Sequence, residues 1–271
     1  MNVKGLLKDI GGASRVTKAR QEAFDKANTT PTKTDPINEV AKALHPGELH
    51  LSIKEIRAAS PTAKTFRLKA KEGHLPYFRP GQFLTLKTNI EGSEISRPYS
   101  ICSAPYETRG EHPYVEITVR RSKGDGFFAD YLYDQAKVGD EFLGEVGLGQ
   151  FYYEPLRDSH DVVALAGGSG ITPFLAMAKA IKHGDMDANL TILFGSVSDK
   201  DIILEKELAE ASCEKVKVVH VLSGDNPDWK GEKGFLNADI IKKYSSPDTT
   251  YFVCGPQVMY DFVRKDLDTL G

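Results

Sequence analysis

The sequence predicts two folded domains, an antiparallel β-barrel followed by a doubly wound α/β domain. Three observations carry that expectation. Short β-rich segments separated by Pro and Gly clusters fill residues 46–157, the spacing of a small barrel or sandwich. Beyond about Asp158 the rhythm changes to strands alternating with helix-length segments, as in a sheet covered on both faces. The run Asp161–Ala166 is almost wholly apolar, which suits a strand buried on both sides, and it leads straight into a glycine turn.

Residues 1–45 stand apart as an N-terminal extension, with eight Lys/Arg against five Asp/Glu and few large apolar side chains. Ala19–Ala27 reads as helical, and Pro31 and Pro36 interrupt the chain beyond it. The extension reads as a segment packed on the main body or linking it to something else, the alternative being a basic arm for an acidic partner. In the first domain strands are expected at Glu48–Ile56, Ala63–Ala70, Gln82–Thr88, Ser96–Cys102 and Tyr114–Arg121. A helix over Gly126–Gln135 and a strand over Glu141–Val146 come next. In the second domain, residues 158–271, strands are expected at Asp161–Ala166, Leu190–Phe194, Val216–Val221 and Thr250–Cys254. Helices are expected near Pro173–Ile181, Ile203–Ala211 and Pro256–Leu267; in the last, Met259, Phe262, Val263 and Leu267 share one face.

Composition excludes several classes. A hydrophobic share of 40% with 27% charged residues suits a globular chain with real cores. A net charge of -3 lacks the basic surplus of nucleic-acid binders. No apolar run approaches the roughly 18 residues of a membrane helix, and the polar N-terminus lacks a signal-peptide core, so the cytoplasm is the expected location. Cys102, Cys213 and Cys254 are far apart and odd in number, which argues against a disulfide framework or zinc site. They also cannot supply the four thiolates of an iron–sulfur cluster, so no metal is expected in this chain.

Two motifs hold the chemistry. Arg97, Pro98, Tyr99, Ser100 offers a guanidinium fork for phosphate and an aromatic plane for stacking, as a flavin nucleotide would need. About seventy residues later, Gly167, Gly168, Ser169, Gly170, Ile171, Thr172, Pro173 turns a buried strand into a helix. Thr172 is expected as N-cap and Pro173 as first helical residue, leaving N–H groups that attract a pyrophosphate. The turn departs from G-x-G-x-x-G because Pro173 replaces the third glycine, and a purely structural turn is the competing reading. Cys254, Gly255, Pro256 ends the final strand, so both turns face one crevice beyond the carboxyl edge of the sheet. There the Cys254 thiol touches a nicotinamide edge or is simply a small buried residue.

Five segments in order resemble the ferredoxin–NADP reductase superfamily, especially its bacterial oxygenase-reductase and electron-transfer-subunit branches. They are Pro80–Phe83, Arg97–Ser100, the glycine turn, Trp229–Phe235 and Cys254–Pro256, and the resemblance covers about residues 46–271. It implies a flavin-binding barrel and a pyridine-nucleotide domain, with FAD expected rather than FMN. Tyr99 would pack on the isoalloxazine, Ser100 would lie near its N5, and Arg97 would pair with flavin phosphate. Gly124 and the turn Gly126, Phe127, Phe128, Ala129 would cap the flavin pyrophosphate through backbone N–H groups, with Ala129 standing where many relatives carry Ser or Thr. Gly167, Gly168, Gly170, Ile171, Thr172 and Pro173, together with Cys254, Gly255 and Pro256, would hold the nicotinamide nucleotide. Ser196 and Asp201 would meet its ribose. An aspartate accepts from a ribose hydroxyl and repels an added 2'-phosphate, so NADH is expected, while Lys200 and Lys206 keep NADPH open.

The resemblance implies an NAD(P)H-oxidising flavoprotein in which Ser100 and Cys254 flank the reacting atoms. Electrons would pass to a [2Fe–2S] ferredoxin-type acceptor on another protein or on a fused domain absent from this chain. Its rivals are a flavin or oxygen reductase without a protein acceptor and a non-catalytic flavin-binding electron-transfer or regulatory subunit. The intact nucleotide motifs argue against the second. The chain stops at Leu270–Gly271 as its last helix ends, where many relatives continue. Truncation and a different cover for the flavin face are both open readings of that ending.

Overall fold

The structure, a computed structural model, describes residues 3–27, 35–122, 124 and 126–270. By internal contacts the chain divides into Met1–Val40 and Ala41–Gly271. The first part holds α1 (Val3–Lys26), which begins well before the expected helix at Ala19. Pro36 does not break the chain but opens α2 (Pro36–Leu44), where its missing N–H has no helical partner to lose. Asp35 accepts from the Ile37 N–H at 3.0 Å and so caps that helix. Pro31 and Gly271 lie outside the described residues.

The remainder begins with a curled antiparallel sheet of β1 (Leu49–Ser60), β2 (Ala63–Ala70), β3 (Phe83–Ile90), β4 (Ser93–Ser100), β5 (Val115–Arg120), β6 (Glu141–Gly144) and β7 (Val146–Leu148). Between β5 and β6 lies the helix α3 (Phe127–Asp134). The strand order is β4-β3-β6-β1-β2-β5, with β7 against β3. A bridge between Ile101 and Ile117 brings the end of β4 round to β5 and closes the barrel. Alternation along the strands sends Leu51, Ile53, Phe66, Leu68, Leu84 and Ile117 inward to one apolar core.

The second sheet is parallel throughout. It comprises β8 (Asp161–Gly167), β9 (Asn189–Ser196), β10 (Val216–Leu222), β11 (Glu232–Lys233) and β12 (Thr250–Cys254), in the order β11-β10-β9-β8-β12. Helices α4 (Thr172–His183) and α5 (Glu205–Ala211) pack with Ala164, Ala166, Ile192 and Phe194 on one face. Helices α6 (Ala238–Lys243) and α7 (Gln257–Leu270) cover Val163, Leu165, Leu193 and Val221 on the other. Because β8 pairs with both β9 and β12, the chain reverses its direction of winding there. That reversal opens a crevice at the carboxyl ends of the strands. No described helix is long and apolar enough to cross a membrane.

Ion pairs join barrel to parallel sheet. Glu116 on β5, almost fully buried, accepts from both terminal nitrogens of Arg57 at 2.6 and 2.8 Å and from Arg67 Nε at 2.9 Å. Arg57 also reaches Glu207 of α5, and Lys179 of α4 reaches Glu107 at 3.3 Å. Burial alone would push the Glu116 carboxyl up, but the Arg57 hydrogen bonds and the surrounding cations hold it below its ordinary value.

Candidate functional site

A cleft of about 1060 Å³ opens between the two sheets. One wall comes from the barrel through Pro98, Tyr99 and Ser100 of β4 and Arg120, Ser122 and Ala129. The other comes from Gly167, Gly168, Gly170 and Thr172, from Ser196 and Asp201, and from Cys254, Gly255 and Pro256. Motifs more than 150 residues apart in the chain thus line one space. Arg97, Gly124, Gly126, Phe127, Phe128, Ile171 and Pro173 do not line it.

Steric interlock explains the glycines on the parallel-sheet wall. A methyl group on Gly170 would meet the Cys254 carbonyl oxygen at 2.1 Å, and one on Gly255 would meet Met259 Sδ at 2.5 Å. The turns after β8 and β12 therefore touch backbone to backbone, and of their glycines Gly168 alone needs the left-handed region, with φ of 55°. Thr172 is not the N-cap. A 3₁₀ turn over Gly168–Ile171 runs directly into α4, so Thr172 is already helical and its hydroxyl donates back to the Ser169 carbonyl at 2.9 Å. With Ile171 in helical geometry, no extended residue precedes the helix to act as a side-chain cap.

On the barrel wall Tyr99 is tucked beside Phe128, ring centres 6.1 Å apart, and burial pushes its hydroxyl above the ordinary tyrosine range. Phe128 is itself a core residue, whereas Phe127 is exposed. Arg97 projects outward with one N–H to the Ser96 carbonyl at 2.8 Å. Asp130 accepts from the backbone N–H groups of Ser122 and Gly124 at 2.7 and 2.6 Å and so folds the loop before α3. At the start of α3 a methyl on Gly126 would come within 2.8 Å of Ser122 Oγ. Among the described residues Ser122 Oγ is one of two buried side-chain polar atoms without a hydrogen-bond partner, the other being His220 Nδ1. A buried hydroxyl left unsatisfied beside a helix N-terminus fits an anionic ligand group seated there.

Among the cleft residues that sequence reasoning missed are Ser122 and Arg120. Arg120, from β5, lies so close over the glycine turn that a methyl on Gly168 would approach its Nη1 to 3.1 Å. Asp201 faces the barrel: its carboxylate accepts from Ser60 Oγ at 2.6 Å and from Thr62 Oγ1 at 2.7 Å. Arg120 Nη2 lies 3.5 Å away. Burial opposes its ionisation, yet those hydroxyls and Arg120 hold the carboxyl below its usual value. Cys254 is partly buried, and desolvation raises its thiol pKa, so at neutral pH the cleft meets a thiol and not a thiolate.

The chain matches the oxidoreductase FAD-binding domain over residues 49–153 and the oxidoreductase NAD-binding domain over residues 164–265. It is 31% identical over 242 residues to NADH-cytochrome b5 reductase 1 of Dictyostelium discoideum, covering 86% of this chain and 82% of that protein. It is 32% identical over 218 residues to the glycine betaine monooxygenase reductase subunit of Pseudomonas aeruginosa, covering 77% and 57% respectively. Phthalate dioxygenase reductase, described as a modular structure for electron transfer from pyridine nucleotides to [2Fe–2S], superposes with a TM-score of 0.66 at 24% identity. That match covers 83% of this chain and 66% of the other.

Proposed function

The chain belongs to the ferredoxin–NADP reductase superfamily as an FAD-dependent NADH oxidoreductase, and from that premise we propose that it passes electrons singly to an iron–sulfur protein of ferredoxin type. One observation carries the site reading: the barrel's Pro98–Ser100 and the turns at Gly167–Gly170 and Cys254–Pro256 line a single cleft. Bound flavin supplies the conversion between a two-electron hydride and single electrons. The chain's own groups do the placing. Tyr99 presents a flat apolar face, Ser100 a hydroxyl for the ring, and Arg97 with the α3 N-terminus and Ser122 the donors for the flavin phosphates. The glycine turn lets the dinucleotide pyrophosphate approach the backbone, and Arg120 offsets its charge. Cys254, as a neutral thiol, would pack at the nicotinamide edge without competing for a proton. These residues would hold the two rings in place, and the chemistry the bound groups supply would call for placement by the chain and for no acid–base pair.

The acceptor reading is supported by the likeness to the glycine betaine monooxygenase reductase subunit and to the [2Fe–2S]-coupled phthalate dioxygenase reductase. Cytochrome b5 is the second reading, carried by the identity to NADH-cytochrome b5 reductase. Purified protein reduced anaerobically by NADH is offered a plant-type [2Fe–2S] ferredoxin, cytochrome b5 or ferricyanide. Faster turnover with the ferredoxin is expected; faster turnover with cytochrome b5 overturns the acceptor reading, and no bleaching of the flavin by NADH overturns the site. Arg97→Ala should loosen FAD by about tenfold or more, as loss of a charge-assisted phosphate contact implies. Equilibrium dialysis of the flavin reads that out.

A further inference from the structure

The last strand of the parallel sheet is an open edge. β12 pairs with β8 on one side, and among the described residues no strand lies on its other side. Carbonyl groups on a free edge find their partners outside the sheet. Tyr260, in the first turn of α7, is such a partner: its Oη donates to the Val253 carbonyl oxygen at 3.3 Å. The same hydroxyl also engages the Cys254 thiol and the Gly255 backbone N–H. One phenol thus meets three consecutive residues where β12 ends. A phenol oxygen carries one proton to donate and lone pairs to accept with, so it serves a carbonyl and an N–H at once.

The inner side of that turn is fixed by backbone contact. A methyl on Gly170 would meet the Cys254 carbonyl oxygen at 2.1 Å and the Gly255 nitrogen at 2.7 Å. Met259, the residue before Tyr260, sets its sulfur against Gly167 and Gly255. The turn is therefore stopped from moving inward, while Tyr260 bounds it along the free edge of the strand. Burial raises the pKa of the Cys254 thiol, and the Tyr260 hydroxyl opposes that rise by favouring the charged form. We propose that Tyr260 is a positioning residue for the parallel-sheet side of the cleft: its phenol clasps the Val253–Gly255 turn across the free edge of β12 and fixes where the Cys254 thiol sits. This rests on reading Cys254 as a neighbour of the nicotinamide.

The first measurement uses the flavin-loaded protein without nucleotide. In a Cys213→Ser parent, Cys102 is fully buried, so iodoacetamide reports on Cys254. Alkylation is followed from neutral to alkaline pH, because the thiolate is the form that reacts. Tyr260→Phe keeps the ring and removes the hydroxyl. It should slow alkylation throughout and move the pH profile upward. A turn that merely loosened would expose the thiol and speed alkylation, so faster alkylation or an unchanged profile overturns the proposal. The second measurement is stopped-flow reduction of the flavin by NADH. Tyr260→Phe should slow it several-fold, with flavin content and thermal midpoint close to the parent. Made in a Cys254→Ala background, the same change should slow it no further, because residues acting through one contact do not add. No slowing in the parent, or equal slowing in both backgrounds, overturns the proposal. If dithionite bleaches the parent flavin and NADH does not, the nicotinamide reading has failed and the positioning role falls with it; a slower alkylation would then mark Tyr260 as a clasp on the turn alone.

Discussion

The two walls of the cleft are built on opposite principles. On the parallel-sheet side the backbone does the shaping: the turns at Gly167–Gly170 and Cys254–Pro256 touch so closely that a single methyl would meet a carbonyl oxygen at 2.1 Å. On the barrel side the side chains do it, through Tyr99, Ser100, Arg120 and Ser122 on an otherwise ordinary strand framework. A wall made of backbone admits almost no substitution, whereas a wall made of side chains loses its contacts one at a time.

The sharpest break of that contrast is Gly170→Ala. The new methyl must displace the Cys254–Gly255 backbone, and overpacking of this severity costs about 3 kcal/mol. Loss of NADH-driven flavin bleaching is expected, with a lower urea midpoint, while FAD stays bound on the barrel. Unchanged NADH kinetics would show that the two turns are free to move apart.

Next in size is the ion cluster that joins the two walls. Removing one partner of a buried pair costs about 3 kcal/mol, less here because Arg57 is partly solvated. Glu116 has its folded pKa depressed below the ordinary 4.5, so its contribution is full above that pH and disappears as pH falls through the folded value. Wild-type stability should therefore drop on acidification below about pH 4.5. Glu116→Gln should start lower at pH 7 and lose less over the same range, as urea unfolding at several pH values will show.

The difference between the walls also decides what is legible in the sequence. Gly168, Gly170 and Gly255 stand out because their geometry tolerates one residue type, and β8 because a strand buried on both faces is apolar throughout. Arg120 and Ser122 do not, since Arg and Ser are unremarkable where a buried strand emerges into solvent and their meaning lies in what faces them. Asp201 sits in a loop the sequence connects with ribose. Its partners Ser60 and Thr62 are about 140 residues away, a pairing no local pattern announces. The expected N-cap at Thr172 fails for a local reason: the preceding turn is already helical. Helix α6 and strand β11 are too short for a hydrophobic period to develop.

On the barrel wall, Ser122→Ala should act with opposite sign on two measurements. Removing a buried hydroxyl that has no partner relieves a desolvation penalty, so the flavin-free protein should melt no lower than wild type. If that hydroxyl meets the flavin pyrophosphate, FAD affinity should fall by about 1 kcal/mol, roughly fivefold. A lower melting point with unchanged FAD affinity would instead place Ser122 in the packing of the loop before α3.

The smallest expected effect sharpens the comparison most, because it tests a side chain on the backbone-built wall. Cys254 closes β12 beside Gly255 on the cleft wall, partly packed on the apolar core, and burial keeps its thiol neutral. Serine has nearly the same shape but a smaller, harder and better-hydrated atom, so Cys254→Ser leaves the turn intact while weakening apolar packing against a nicotinamide edge. Stopped-flow reduction by NADH should slow several-fold, on the order of 1 kcal/mol in the barrier, with FAD still bound and the thermal midpoint close to wild type. Because the thiol does not ionise near neutrality, the slowing should be the same at pH 6 and pH 8. A pH-dependent difference would assign the sulfur a role as thiolate, and traces identical to wild type would leave this wall working through its backbone alone.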